Sequence, residues 1–163
     1  MKVPVFSIMA DQLVKAVKGD ESVFSLGVWP FGPNLLYKNL ALEEVKTIRR
    51  HIPLRRYPAV IGVYYSTYIY AIHIPDNSER NAKRHAFWII SMTQEFGENF
   101  ATKIGNAHEI GRPSSREDNE VDEHNNKAAL QYAKNNPGVK PATAADEMWA
   151  SGLLRGYAVS SSC

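Results

Sequence analysis

Apolar residues recur along this chain at steps of three and four, and clusters of glycine, proline and small polar residues separate the recurrences. Phe6, Met9, Ala10, Leu13, Ala16 and Val17 trace one stripe, which predicts an amphipathic helix ending at Gly19-Asp20. Residues 21–38 interleave Gly27, Pro30, Gly32 and Pro33 with Val23, Phe24, Leu26, Val28, Trp29 and Phe31. Breakers at that density forbid a long helix, and the apolar content predicts a loop that packs on the rest. Asn39 caps a second expected helix through Leu40, Leu42, Val45 and Ile48, with Glu43 and Glu44 near its positive end and Arg49, Arg50 and His51 at its negative end.

The run from Ala59 to Ile74 is rich in Val, Ile, Tyr and Thr, which favours a strand on propensity. It carries no turn residue after Gly62, and no other convincing strand is available to pair with it, so its length predicts a helix. Asn77 or Ser78 caps the next helix, Glu79 to Phe96, whose stripe is Ala82, His85, Ile89, Met92 and Phe96. Gly97 closes it. Another helix starts at once with Ala101, Ile104 and Ala107 on one face, and Gly111 and Pro113 end it just past His108-Glu109. Ser115 caps a third that carries Asp118, Asp122, Asn125 or Asn126, Ala129 and Tyr132 and stops at Asn135-Asn-Pro-Gly138; Thr143 caps a last one from Ala144 to Tyr157. The expected fold is all-α, one compact bundle of five to six helices over residues 1–163, with a core at 79–135 whose short links make neighbouring helices antiparallel.

Composition narrows the class without naming a partner. The chain has 163 residues, 44% of them hydrophobic and 22% charged, as in a globular domain able to bury its own core. A net charge of +2 gives no strong nucleic-acid signal. Cys163 stands alone, so there is no disulfide framework and no well-placed thiol. The amino terminus has one early basic residue and a run broken by Pro4 and Asp11, which does not read as a cleavable signal peptide. The apolar stretch Pro58 to Ile74 is about 17 residues with four tyrosines, at the lower limit for a bilayer span, and reads as a buried helix with membrane contact through 59–74 as the alternative.

Three antiparallel helices would bring together Arg84, His85 and Trp88, then His108 and Glu109, then Asp118, Asp122, His124, Asn125 and Asn126. Burying imidazole, carboxylate and carboxamide groups costs several kcal/mol unless they are paired, metal-bound or kept at a wet cleft. His85 or His108, oriented by Asp122, can serve as general base on water with Glu109 as proton donor or second base, and Arg84 or the asparagines can stabilise an anion. His85, His108 and Asp122 also form a ligand set for a divalent metal such as zinc. The segment His108-Glu-Ile-Gly-Arg112 lacks the second histidine of the zinc-protease motif, and no nucleophile elbow, phosphate loop or dinucleotide fingerprint occurs.

Asn81-Ala-Lys-Arg-His-Ala-Phe-Trp88, Ala107-His108-Glu109 and Asp122-Glu-His-Asn-Asn126 together resemble a bacterial domain family of unassigned chemistry. The family pattern is an Arg-His-Ala-x-Trp helix, a His-Glu pair and an Asp-x-His-Asn-Asn segment. Similar domains lie at the carboxyl ends of large secreted or contact-delivered bacterial proteins, which implies an antibacterial toxin or effector, and they also occur as free-standing proteins. The family often has Asp-Ala-Phe before Arg-His, where this chain has Asn81-Ala82-Lys83. The resemblance implies a site of Arg84, His85, Trp88, His108, Glu109, Asp122, His124, Asn125 and Asn126. His85, His108, Glu109 and Asp122 are then expected to be catalytic, and Arg84, Trp88, His124, Asn125 and Asn126 to bind substrate.

The expected function is a secreted or delivered hydrolase, metal-assisted or not, acting on an envelope component such as peptidoglycan or phospholipid. It would stay cytoplasmic in the producer, with an immunity protein or delivery chaperone as partner. The alternative is a non-enzymatic effector or adaptor that binds a protein or inserts into membrane, its polar cluster a structural network.

Overall fold

Six α-helices and a short 3-10 turn make up the described residues, 41–75, 77–111 and 115–157, of the computed structural model. They are α1 (Leu42–His51), α2 (Tyr57–Ile72), α3 (Ser78–Phe96), α4 (Glu98–Gly111), α5 (Arg116–Asn135) and α6 (Pro141–Ala150), with the turn Leu54–Arg56 joining α1 to α2. No strand occurs among the described residues, in agreement with the all-α expectation. The helix expected from Phe6 to Val17, the loop at 21–38, the cap Asn39, Pro113 and Cys163 lie outside the described residues.

Helix α3 is the hub, packing against α2, α4, α5 and α6. Its stripe is what makes this possible: Ala82, Ala86, Ile89, Ile90 and Met92 are all buried. Asn77 caps its start by accepting a bond from the Arg80 N–H at 3.1 Å. Gly97, at φ +90°, lets the chain reverse within a single residue. Phe96 meets Phe100 at one end of the α3–α4 pair and His85 stands beside Glu109 at the other, so the two helices run antiparallel. Glu98–Lys134 and Glu109–Asn126 contacts do the same for α4 and α5. Hence α3 and α5 run parallel, and Asn81–Asp122 and His85–Asn126 become successive rungs between them.

The Ala59–Ile74 segment is helical through Ile72, as part of α2, which begins two residues earlier at Tyr57, with Val60, Ile61, Tyr64, Thr67 and Ala71 buried. The hydroxyls of Ser66 and Thr67 bond back to the Val63 carbonyl, which satisfies them within the helix. Among the described residues no helix is long and apolar enough to cross a membrane.

Helices α1 and α6 differ from expectation at their ends in ways that shape the site. Helix α1 begins at Leu42, and its first turn is held by Glu44, whose carboxylate accepts the Ala41 N–H at 2.5 Å. Helix α6 spans Pro141–Ala150 rather than Ala144–Tyr157. Pro141 has the backbone φ that a first helical turn needs, and Gly152, at φ +73°, ends the helix as the Leu153 N–H bonds back to the Met148 carbonyl. Residues 151–157 are therefore a strap that lies over α5 and reaches the start of α3, where Gly156 packs against Ser78.

Candidate functional site

The polar cluster lies where α1, α3, α4 and α5 meet. Gly111 permits that meeting, because a Cβ there would collide with Cβ of Ala41 and hold the start of α1 off the end of α4. With α1 seated, Glu44 is completely buried and its carboxylate faces His108, Oε2 to Nδ1 at 3.2 Å. The contact is off the line of a hydrogen bond, so His108 Nδ1 has close electrostatic contact but no aligned acceptor. Glu44 itself is fixed by the Ala41 N–H and by the Tyr64 hydroxyl at 2.6 Å. Trp88 packs on His108 with ring centroids 5.1 Å apart, and Tyr64 packs on Trp88 at 5.7 Å.

His85 occupies the centre, only 3% exposed, with its ring 5.4 Å from that of His108. Asn126 donates through Nδ2 to Glu109 Oε1 at 3.2 Å, which turns its Oδ1 toward His85 Nδ1, also at 3.2 Å. With the amide so oriented, Nδ1 carries a proton. The Nε2 side faces Asp122 Oδ1 at 3.6 Å.

Asp122 accepts bonds from the Tyr157 hydroxyl, on the strap, and from Asn81 Nδ2 at 2.9 Å, and Asn81 Oδ1 in turn accepts Arg84 at 2.6 Å. Burial raises the Asp122 carboxyl above the ordinary range, opposed by those two hydrogen bonds and by the charges of His108 and Arg84. The Tyr157 phenol is pushed up by burial and by Asp122, so it stays a donor. Glu109 is pushed up to about 7, first by burial, with Asp122 and Glu123 adding to the rise and His108 and Asn126 opposing it. Glu109 and Asp122 thus share a buried region with Arg84 and two imidazoles, and both carboxyl groups hold protons more tightly than in water.

The structure brings His85, His108, Glu109, Asp122 and Asn126 together. It places the other expected residues differently. Trp88 is a buried wall behind His108, and Arg84 reaches Asp122 through Asn81. His124 is turned to the strap, its Nε2 3.1 Å from the Leu153 carbonyl. Asn125 clamps Arg155 with both ends of its amide, at 3.0 and 2.8 Å. Glu44 and Tyr157 also belong to the cluster and lie outside the sequence expectation, because the helix dipole by itself explains an acid in the first turn of α1 and the spacing after Thr143 makes Tyr157 the end of a helix. Gly152 and Gly156, two helix breakers four residues apart, are the signal in the sequence that points to a strap.

The metal-suited group is His85, His108 and Glu109, whose ligand atoms lie within 4.8 Å of one another; Glu109 takes the place expected of Asp122. Asp122 is instead occupied by Tyr157 and Asn81. Two imidazoles and a carboxylate suit zinc, manganese or iron, and a carboxylate behind a metal-bound imidazole, as Glu44 stands behind His108, is a common support for such ligands. The residues present fit a divalent cation.

A cleft of 480 Å³ between α4 and α5 reaches Glu109 of this group, with Ile89, Ala101 and Leu130 as apolar lining and Glu109, Asn126, Glu123 and Lys127 among its polar lining. Gly105 keeps it open, since a Cβ there would press on Ile89 Cδ1 at 3.2 Å.

No curated protein and no solved structure matches the chain. Residues 62–152 match the family described as a domain of unknown function, DUF6973. That span holds His85, His108, Glu109, Asp122 and Asn126, whereas Glu44 and Tyr157 come from its flanks. With more than half of its length matched, the chain belongs to the DUF6973 family.

Proposed function

We propose that this protein is a small effector hydrolase, delivered against other bacteria, that cleaves an envelope component such as peptidoglycan or phospholipid. One observation carries the hydrolytic part: His108, backed at Nδ1 by the buried Glu44, adjoins Glu109 in the lining of an open cleft. A carboxylate beside one ring nitrogen favours the proton on that nitrogen and leaves the other as the acceptor. In this reading Nε2 of His108 takes a proton from water, the oxygen adds to the carbonyl or phosphoryl of the substrate, and Glu109 protonates the leaving group. Asn126 offers its amide to the developing anion. If a divalent cation were held there instead, His85, His108 and Glu109 would be its ligands rather than base and acid, and the cation would supply Lewis acidity and lower the pKa of bound water. Delivery rests on the order of the three sequence motifs.

A second reading keeps the cluster as packing. His85 is 3% exposed and both its nitrogens face partners, as in a satisfied network that fixes three helices in a non-enzymatic effector. The test is expression in a bacterium routed to cytoplasm or periplasm, with parent and His108→Ala compared for growth and for lipid and peptidoglycan composition. The hydrolase reading expects an envelope change that the variant loses while its helical circular dichroism and cooperative melting persist. Equal effects from both proteins would remove it.

A further inference from the structure

Helix α4 has a groove on each flank. One is the α4–α5 cleft with Glu109 in its lining. The other, of 360 Å³, lies between α1 and α4 and presents Arg50, His51 and Lys103 beside the paired Lys46 and Glu43. Asn106 and Ile110 line both. Ile110, on the crest between them, is 75% exposed, more than any other large apolar side chain among the described residues.

Arg50 and His51 end α1, where cations offset the helix dipole, and that alone accounts for their place in the sequence. It does not account for Lys103, which comes from the second turn of α4 and, with Arg50, makes a cationic pair from two helices. The two grooves together are amphiphilic: cations on one side, a cleft that combines Ile89, Ala101 and Leu130 with Glu109, Glu123 and Lys127 on the other, and an exposed isoleucine at the shared rim. Nucleic acid fits less well, since neither groove is lined by a Phe, Tyr or Trp face for base stacking.

We infer that this edge of α4 docks on an anionic phospholipid surface. The lipid phosphate lies against Arg50 and Lys103, Ile110 enters the acyl boundary, and part of one lipid extends into the cleft beside Glu109. The inference rests on the hydrolase reading for the role of that cleft and names its substrate class. Basic residues near an anionic bilayer and an inserted apolar side chain each add to surface binding.

Vesicle sedimentation with the full chain tests this. Phosphatidylglycerol vesicles should carry the protein down and phosphatidylcholine vesicles should not. Arg50→Glu combined with Lys103→Glu, and separately Ile110→Asp, should each weaken binding roughly tenfold or more. These positions are exposed, so the fold stays intact. Lys134→Glu, a change of the same sign at the far end of α4 and α5, should bind as the parent does. Millimolar inorganic phosphate should not compete, which separates a lipid headgroup from a free-phosphate site. Equal sedimentation with both lipids, undiminished binding by the double variant, displacement by inorganic phosphate, or preference for a single-stranded oligonucleotide would each overturn the inference. Binding without lipid hydrolysis would count against the hydrolase and leave the docking surface standing; hydrolysis of a non-lipid substrate without vesicle binding would do the reverse.

Discussion

Glu44 Oε2 lies 3.2 Å from His108 Nδ1, joining the first turn of α1 to the last turns of α4 deep in the protein. The same carboxylate accepts the Ala41 N–H and the Tyr64 hydroxyl. Glu44 is therefore both a cap and the support of the candidate base. Glu44→Gln should lower activity about 10- to 100-fold, the range seen when a carboxylate behind a metal-bound histidine is removed, with a smaller loss of stability. Glu44→Ala leaves buried donors unpaired and should destabilise by roughly 2 kcal/mol or more in urea unfolding. A Glu44→Gln protein with full activity would separate Glu44 from the chemistry.

Gly111 sets the approach of α1 to α4. Gly111→Ala places a methyl group against Ala41 and should cost about 1–3 kcal/mol, as overpacking does. Activity should fall along with stability, because Glu44 is carried away from His108. An unchanged denaturation midpoint would mean that the two helices do not need this close contact.

The strap depends on Asp122. Tyr157→Phe removes one donor from a buried carboxylate and should destabilise by about 1–3 kcal/mol. Asn81→Asp should be worse than Asn81→Ala, because it sets a second carboxylate against Asp122 with Arg84 as the nearby counter-charge. The comparison is direct by thermal melting, and an Asn81→Asp protein as stable as the parent would contradict the hydrogen-bond assignment.

Protonation should stabilise the metal-free fold. Glu109 binds its proton more tightly when folded, near 7 against 4.5 in the free side chain, so its contribution is fully present below the unfolded value and is lost as pH rises through 7. Asp122, also raised, acts in the same direction. In chelator, the melting temperature of the parent relative to Glu109→Gln should rise as pH is lowered from 8 toward 5. A difference that stays flat across that window would count against a buried, proton-binding Glu109.

Much of this arrangement was legible in the chain because helical spacing and short links act locally. His85 falls in the stripe of α3, His108 follows Ile104 by one turn, and Asp122 precedes Ala129 by two, so each had to face the core. The neighbours that complete the site are remote. Glu44 meets His108 only because Gly111 lets two helix ends touch, and Tyr157 reaches Asp122 only because Gly152 stops α6 early. His124 and Asn125 share the motif with Asn126 but project toward the strap, since adjacent helix positions point about 100° apart. The exchange of Asp122 for Glu109 in the metal-suited group followed from the same remote contact with Tyr157.

The central claim is that His108 serves chemistry rather than packing. The most direct measurement is product analysis by mass spectrometry on bacterial envelope lipids and peptidoglycan incubated with purified parent and purified His108→Ala, each shown by circular dichroism to melt cooperatively. The account predicts a new cleavage product with the parent, absent or reduced at least 100-fold with the variant, both proteins being folded. A product formed equally by both, or no product with the folded parent, would contradict it.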